Sequence, residues 1–217
     1  FAKSNKISFP SIPDYNNGTG YFRTAQAAVS SSLSGATVSL SSNFGDAGAV
    51  SVGVEGLTIF APAGVTGALQ LTGVEDITLT GAGGLNVTGN SSDNTITGSS
   101  GANALTGGGG GDVLDGGGGN DTLTGGGGVD EVRGGGNNDI LVVATGEVAG
   151  GEVYDGGSGT DTLQVSGSAD FSTSAVTSIE KLTLGSSAVF DSDQLQFDGG
   201  LAANLAVAGD LPGAVDD

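Results

Sequence analysis

The sequence predicts an all-β fold, a parallel β-solenoid in which short strands stack coil upon coil. Three consecutive nine-residue units of one pattern fill residues 107–133, and the strand-like segment GVEGLTI at residues 53–59 recurs as GVEDITL at residues 73–79. Short strand units repeated at a fixed step are typical of stacked coils. The composition agrees, because 44 of the 217 residues are glycine, which suits tight turns and disfavours helices.

The nine-residue units are GGGGGDVLD at residues 107–115, GGGGNDTLT at residues 116–124 and GGGGVDEVR at residues 125–133. Each unit has glycine at positions one, two and four, aspartate at position six and an apolar residue at position eight. The glycine-rich part can form a tight turn with positive φ angles. The last three residues can form a short strand whose middle side chain points inward.

Two units make one coil of 18 residues, so units two apart lie on the same side of the solenoid. Asp112 is therefore predicted to stack on Asp130 at one edge, and Asp121 on Asp139 at the other. Stacked carboxylates with no lysine or arginine between them repel each other, so they need a cation. Ca²⁺ is the natural one, since it takes roughly six to eight oxygen ligands, including backbone carbonyls. A flexible glycine–aspartate linker is the alternative, and the strict phase of three units argues against it.

This pattern resembles the G-G-x-G-x-D-x-U-x nonapeptide of the RTX (repeats-in-toxin) family of calcium-binding proteins. The resemblance covers roughly residues 73–184 and is most specific at residues 107–133. It implies a right-handed parallel β-helix or β-solenoid with a central calcium-binding β-roll, and Ca²⁺ as the cofactor. The metal-site residues are expected to be Asp112, Asp121, Asp130, Asp139, Asp161, Gly108, Gly110, Gly117, Gly119, Gly126, Gly128, Asn94 and Asn103.

The units that flank the regular repeats depart from the pattern. Those at residues 89–106 carry Asn94 and Asn103 in place of the aspartate, and a neutral amide oxygen is expected to give a weaker or empty calcium site. The unit at residues 134–142 has Asn137 in place of the fourth glycine. Asparagine tolerates the left-handed conformation, so the turn is expected to persist there.

Beyond these units the nine-residue phase is interrupted. Residues 143–155 are predicted to be an insertion, and residues 156–164 form one more unit with Asp161. Asp161 is four residues out of phase with the preceding units, which leaves its stacking partner open. A third copy of the strand motif, SIEKLTL at residues 178–184, predicts that ordinary coils resume there, with Glu180 in a structural turn position.

The chain is predicted to have four parts. Residues 1–20 form an extended tail, and residues 21–88 hold an amphipathic capping helix at residues 21–33 followed by N-terminal β-helix coils. Residues 89–164 form the calcium roll, and residues 165–217 form C-terminal solenoid coils.

The formal net charge of −19 arises from 24 acidic and 5 basic residues, and it argues against nucleic acid or an anionic membrane as a partner. No apolar run approaches the roughly 20 residues that span a bilayer. The chain has no histidine or cysteine and no G-x-S-x-G or G-x-x-x-x-G-K motif. These absences exclude nucleophile–histidine pairs, zinc-peptidase motifs and phosphate loops. The pairs Asp191/Asp193 and Asp216/Asp217 are expected to be solvated surface rather than a sugar-cleaving site.

We therefore expect a non-catalytic, calcium-dependent structural protein outside a bacterial cell, such as a self-assembling surface layer, a filament or an adhesin. The resemblance also implies type I secretion. Assembly is expected head to tail between copies, through the basic N-terminal tail with Lys3 and Lys6 and an open C-terminal coil. Two alternatives stay open. One is a calcium-binding module of a secreted epimerase, lyase or lipase, and the other is an ice- or sugar-binding segment with Thr-x-Thr triplets at residues 78–80, 95–97 and 122–124.

Overall fold

The computed structural model describes residues 6–8, 37–39, 56–70, 75–190 and 206–208. These residues form strands, turns and loops, and none of them lies in an α-helix. The described part accordingly has no helix long and apolar enough to cross a membrane. The predicted capping helix, most of the predicted tail and the four C-terminal aspartates named above lie outside the described residues.

The strands of the described residues are all short, with at most six residues each. In chain order they are β1 (Lys6–Ser8), β2 (Thr37–Ser39), β3 (Leu57–Ala61), β4 (Thr66–Gln70), β5 (Asp76–Gly81), β6 (Gly84–Thr88), β7 (Thr95–Thr97), β8 (Ala104–Gly109), β9 (Val113–Asp115), β10 (Thr122–Gly127), β11 (Glu131–Gly136), β12 (Ile140–Val143), β13 (Val153–Ser158), β14 (Thr162–Val165), β15 (Ala169–Asp170), β16 (Ala175–Thr177), β17 (Lys181–Leu184), β18 (Ala188–Val189) and β19 (Ala206–Ala208).

Two parallel sheets pack across one core. Sheet A has the order β1-β2-β3-β5-β7-β9-β11-β13-β16, and sheet B has the order β19-β17-β14-β12-β10-β8-β6-β4. From β3 to β14 the chain alternates between the two sheets, so neighbouring strands within a sheet belong to successive coils. The predicted parallel β-solenoid is confirmed.

The coil length varies while the strand register stays fixed. Leu123 pairs with Leu105 and with Leu141, 18 residues before and after it, as the two-unit coil predicts. Leu57 pairs with Ile77, at the 20-residue step of the repeated strand motif. The additional residues are taken up in the turns, because each strand position keeps its partner in the next coil.

The predicted insertion at residues 143–155 begins and ends in strands of the two sheets. Its first residue ends β12, and its last three residues begin β13. Val153 pairs with Glu131, 22 residues earlier, whereas Glu131 pairs with Val113 at the regular step of 18. This coil is therefore four residues longer than a regular coil. Residues 147–155 occupy the place of one nine-residue unit.

The core is a column of apolar side chains that point inward from successive strands. Leu114 and Val132 of sheet A and Leu123 and Leu141 of sheet B are fully buried. Their neighbours within each strand are more exposed, as the two-residue period of a strand requires. Burying a side chain of this size contributes about 1.5–3 kcal/mol, so the column supplies the apolar driving force that the glycine-rich turns lack.

The coils that follow the glycine-rich repeats are wider. A third sheet, formed by β15 and β18, adds a side to them. Phe171 is fully buried there, stacks on Phe190 with ring centroids 4.9 Å apart, and meets the edge of Tyr154 at 5.7 Å. The solenoid therefore continues past the roll, and the third strand motif contributes β17 to sheet B.

Leu123→Ala should destabilise the calcium-loaded fold by about 2–5 kcal/mol, because it leaves a cavity in the column between two coils. The free energy of unfolding in urea at saturating calcium measures this. Thr122→Ala, one residue away on the exposed face of the same strand, is the matched control and should stay within about 0.5 kcal/mol of the wild type. Equal effects of the two substitutions would contradict the inward assignment of Leu123.

Candidate metal site

The residue at position six of each unit lies where a turn enters a strand, and these residues stack into a column along each edge of the solenoid. We call the column at the turns entering sheet A the first ladder and the column at the turns entering sheet B the second ladder. The first ladder comprises Asn94, Asp112, Asp130 and Glu152, and the second ladder comprises Asn103, Asp121, Asp139, Asp161 and Glu180.

One carboxylate oxygen of each stacked aspartate is bound to the coil before it. The backbone N–H of Asp112 donates to Oδ1 of Asp130 at 2.8 Å, and the N–H of Asp121 donates to Oδ1 of Asp139 at 2.8 Å. These bonds confirm the predicted stacking of both pairs. The same type of bond joins Asn94 to Asp112, Asn103 to Asp121, and Asp139 to Asp161.

The second carboxylate oxygen is buried and lacks a hydrogen-bond partner. Within the described residues this holds for the Oδ2 atoms of Asp112, Asp121, Asp139 and Asp161. Each of these four side chains is at most 1% exposed. An ionised oxygen in such a place is costly unless a proton or a cation lies beside it.

The first glycine of each unit leaves space beside that oxygen. A Cβ atom on Gly116 would overlap with Oδ2 of Asp121 and with the carbonyl oxygen of Gly134 in the next coil. A Cβ atom on Gly134 would meet Oδ2 of Asp139 and the carbonyl oxygen of Gly156 in the same way. Each turn thus brings a carboxylate oxygen and a carbonyl oxygen together at a place that only glycine leaves open.

The second and fourth residues of each unit shape the turn through their backbone angles. Gly117 and Gly119 have φ angles of 87° and 113°, which side-chain-bearing residues rarely adopt. Asn137 takes the fourth position of its unit with a φ of 82°, so the asparagine keeps the turn there. The other predicted turn glycines also have positive φ: Gly108, Gly110, Gly126 and Gly128.

Without a cation, burial raises the pKa of the ladder aspartates. The pKa rises from 3.8 to about 7 for Asp121 and to about 6 for Asp112 and Asp161. The pKa values of Asp130 and Asp139 are raised as well. Desolvation is the largest cause at all five, and the backbone N–H of the preceding coil partly offsets it. Burial therefore makes the ionised form of these carboxylates costly unless a cation lies beside them.

The donor chemistry of the turns fits a calcium ion. No group of three or more acidic side chains in the described residues is placed to hold a metal by itself. The other ligands have to be backbone carbonyl oxygens of the turns. Ca²⁺ accepts such mixed oxygen sets in flexible geometry. Structural zinc is built on cysteine and histidine, which the chain does not contain.

A family model for the RTX calcium-binding nonapeptide repeat, four copies long, matches residues 88–123 and 106–141. Residues 88–141 belong to the RTX family of calcium-binding repeats. The cofactor of the RTX repeats is Ca²⁺, as predicted. Comparison with curated proteins and with solved structures gives no match. Proteins with RTX repeats are typically secreted and extracellular.

Three ladder residues lie beyond the matched RTX repeats. Asp161 is stacked on Asp139, whose N–H donates to its Oδ1 atom at 2.7 Å, so the four extra residues do not break the column. Glu152 and Glu180 occupy ladder positions that were not among the predicted metal-site residues. Two sequence features could have identified them. Glu152 follows two glycines in the segment GGEVY at residues 150–154, which is four residues out of the nine-residue phase, and Glu180 is the glutamate of the third strand motif.

Glu152 differs from the aspartates because both of its carboxylate oxygens accept hydrogen bonds from residues close to it in the chain. It accepts a hydrogen bond from the N–H of Ala149 at 2.9 Å and a short one from the hydroxyl of Tyr154. The side chain is 1% exposed, and burial raises the pKa of both Glu152 and Tyr154. The last carboxylate of the first ladder is therefore one that the protein itself has bonded.

The predicted threonine triplets do not form one array. Thr78 and Thr97 are neighbours in sheet A, and Asp115 follows them in the next coil. The triplet that begins at Thr122 lies in sheet B, on the other side of the solenoid. The described threonines thus form short, separate rows.

The raised pKa values predict that the calcium-free roll becomes more stable as the pH falls. A group whose pKa is higher in the folded than in the unfolded chain favours folding below its unfolded pKa, and that contribution is lost as the pH rises through the folded value. This window extends from about pH 4 to about pH 6 for Asp112 and Asp161, and to about pH 7 for Asp121. Circular dichroism of calcium-free protein should show more β-structure at pH 5 than at pH 8. The same weak signal at both pH values would contradict the burial of these carboxylates.

Asp121→Asn should raise the calcium concentration at the folding midpoint by about 10-fold or more, as loss of a metal-supporting group does. The amide keeps the size of the side chain and an oxygen for the N–H of Asn103, but it loses the charge. Circular dichroism during a calcium titration measures the midpoint. Asp170→Asn, an exposed carboxylate bonded to Ser172, is the control for net charge and should leave the midpoint unchanged.

Proposed function

We propose that the ladder aspartates and the turn carbonyl oxygens bind calcium ions between successive coils, and that calcium thereby fixes an extracellular structural rod. One observation carries the proposal. Each of the four buried, unpartnered carboxylate oxygens lies by a glycine whose Cβ position also meets a carbonyl oxygen of the next coil. A cation there would join two turns that have no covalent or apolar link.

The proposed ligand set is the one expected from the sequence. Its charged members are Asp112, Asp121, Asp130, Asp139 and Asp161. Carbonyl oxygens of the glycine-rich turns complete the coordination, and Asn94 and Asn103 would offer only neutral oxygens, giving weaker sites at the N-terminal end of the roll.

Folding of the roll would depend on the calcium concentration of the surroundings. The chain carries a net charge of −19, and folding buries several of its carboxylates in two columns. Without a cation those charges oppose folding, and calcium binding would supply the missing free energy. Such a chain suits export in an unfolded state by type I secretion and folding outside the cell.

A structural role without catalysis is supported by where the buried polar groups lie. The described residues contain ten buried polar or charged side chains, and eight of them are ladder residues. The remaining two are Ser99 and Ser174. No separate polar centre is therefore left in the described interior for a reaction.

Self-assembly is supported by the parallel order of the strands. Among the described strands, sheet A ends in β1 and β16, and sheet B ends in β4 and β19. A second copy in the same orientation would continue both sheets head to tail, because parallel strands present complementary edges at opposite ends. This geometry favours a surface layer, a filament or an adhesin over the calcium module of a secreted enzyme.

Electron microscopy of the protein with calcium should show rods or layers that disperse in chelator. Sedimentation in the same buffers quantifies the change. A deletion of residues 1–13, which removes β1, should shorten or abolish the polymers while the calcium-induced dichroism remains. Monomers in both buffers would refute assembly and favour the calcium module, and unchanged polymers after the deletion would exclude the tail as the contact.

A further inference from the structure

We propose that the second ladder carries one calcium site beyond the glycine-rich repeats, between the turn at residues 156–161 and the next turn at residues 178–180. Asp161, the carbonyl group of Ser178 and Glu180 would form it. The inference rests on the proposed calcium-binding function. It extends that function to a coil whose turn is not a nonapeptide and which lies outside the matched repeats.

The oxygen pair that marks the regular turns is present at this position. A Cβ atom on Gly156 would meet the carbonyl oxygen of Ser178 and the carboxylate of Asp161. The same relation holds one coil earlier for Gly134, between the carbonyl oxygen of Gly156 and the carboxylate of Asp139. The serine carbonyl thus takes the place of a glycine carbonyl.

The side chain of Asp161 has a carboxylate oxygen that is available to a metal ion. It is fully buried, and its Oδ2 atom has no hydrogen-bond partner, although Oδ1 accepts the N–H of Asp139. This is the arrangement of Asp112, Asp121 and Asp139 in the regular repeats. One oxygen of Asp161 accepts a backbone hydrogen bond, and the other lies near the Gly156 position that the Ser178 carbonyl oxygen also approaches.

Glu180 replaces the aspartate that a further repeat would supply. Its Oε2 atom accepts the N–H of Asp161 at 2.7 Å, the bond that an aspartate makes elsewhere in the ladder. Three residues, from 178 to 180, separate Thr177 from Lys181, whereas six residues, from 156 to 161, separate their register partners Asp155 and Thr162 in the preceding coil. Ser178 closes this short turn with a φ of 53°. The extra methylene of glutamate lets a carboxylate reach the preceding coil from a shorter turn.

The last turn of the first ladder that carries an aspartate lacks the close oxygen pair seen beside Gly156. The three nearest atoms to a Cβ on Gly125 all belong to Asp130, and none is a carbonyl oxygen of the next coil. Glu152, which occupies the place corresponding to Glu180, is bonded to Ala149 and Tyr154. The two edges of the solenoid therefore differ, and the additional site belongs to the second ladder alone.

Solvent reaches the proposed site from one side. Asp161 is fully buried, but Glu180 is exposed. An oxygen site that opens to water holds its ion less tightly than a closed one. This site should therefore fill after the sites between Asp121 and Asp139, at the highest calcium concentration of the series.

The test counts calcium ions on the full chain by native mass spectrometry, with affinities from calorimetry. Glu180→Gln should weaken one site by about 10- to 100-fold, seen as one ion fewer at the calcium concentration that just saturates the wild type. Glu152→Gln changes the same residue type at the same ladder position of the other edge and should leave the count unchanged. Glu131→Gln, on the outer face of β11, controls for net charge.

A second measurement uses the wild-type chain and needs no variant to fold. Mn²⁺ added to saturation, which also prefers oxygen ligands, should broaden the amide resonances of Ser178 and Glu180 as strongly as that of Asp139. Sharp resonances at residues 178–180, or a Glu180→Gln count equal to that of the wild type, would overturn the terminal site while the proposed function stands. A wild-type chain that binds no calcium would refute the proposed function itself.

Discussion

One buried carboxylate in each turn from Asp112 to Asp161 is the constraint on which the roll depends. An aspartate such as Asp121 has one oxygen bonded to the backbone of the coil before it, which fixes the distance and register between the coils. Its other oxygen is enclosed beside Gly116. A residue larger than glycine at that position would collide with the carboxylate and with the next coil, so the glycine pattern follows from the aspartate. The turn is built around a charge that the protein does not neutralise by itself.

A solenoid of this kind transmits stability only between neighbours. Each coil contacts the coil before it and the coil after it, so the fold is a chain of interfaces. The column through Leu114 and Leu123 contributes apolar burial to every interface. Calcium would add its binding free energy at the same interfaces, at the two edges where apolar residues are missing. The metal sites and the core are therefore coupled, since neither can form in one coil without the next.

The nine-residue period was sufficient to predict the architecture. It specifies two units per coil, and from this the Leu123 column and the stacking of Asp112 on Asp130 follow directly. The place of Asp161 could not be predicted in this way, because four extra residues shift its phase. Only the strand residues must stay in register with the neighbouring coil, and the turns between the strands can accommodate the four extra residues. Asp161 therefore stacks on Asp139 although the nine-residue period is interrupted between them.

The glutamates were harder to interpret for a different reason. Glu152 and Glu180 are the same residue type at the same ladder position, yet Glu152 accepts a hydrogen bond from Tyr154 and Glu180 accepts one from the preceding coil. The difference depends on an inward-facing tyrosine hydroxyl and on a turn of three residues, and no local pattern encodes either contact. Sequence periodicity locates a ladder position, whereas its chemistry depends on neighbours that come from other coils.

The position of the single basic residue in the matched repeats explains why the required cation has to come from outside. Arg133 lies on the outer face of sheet A, forms an ion pair with Glu131, and stands in register between Asp115 and Asp155. Because successive side chains of a strand point to opposite faces, an arginine at this position of the unit cannot reach the inward-facing ladders. An internal lysine or arginine would have neutralised the ladders and made the roll stable in any medium. Its absence from the matched repeats leaves the ladder charges to be balanced by a free cation, and under the proposed function this would restrict folding to a calcium-rich medium.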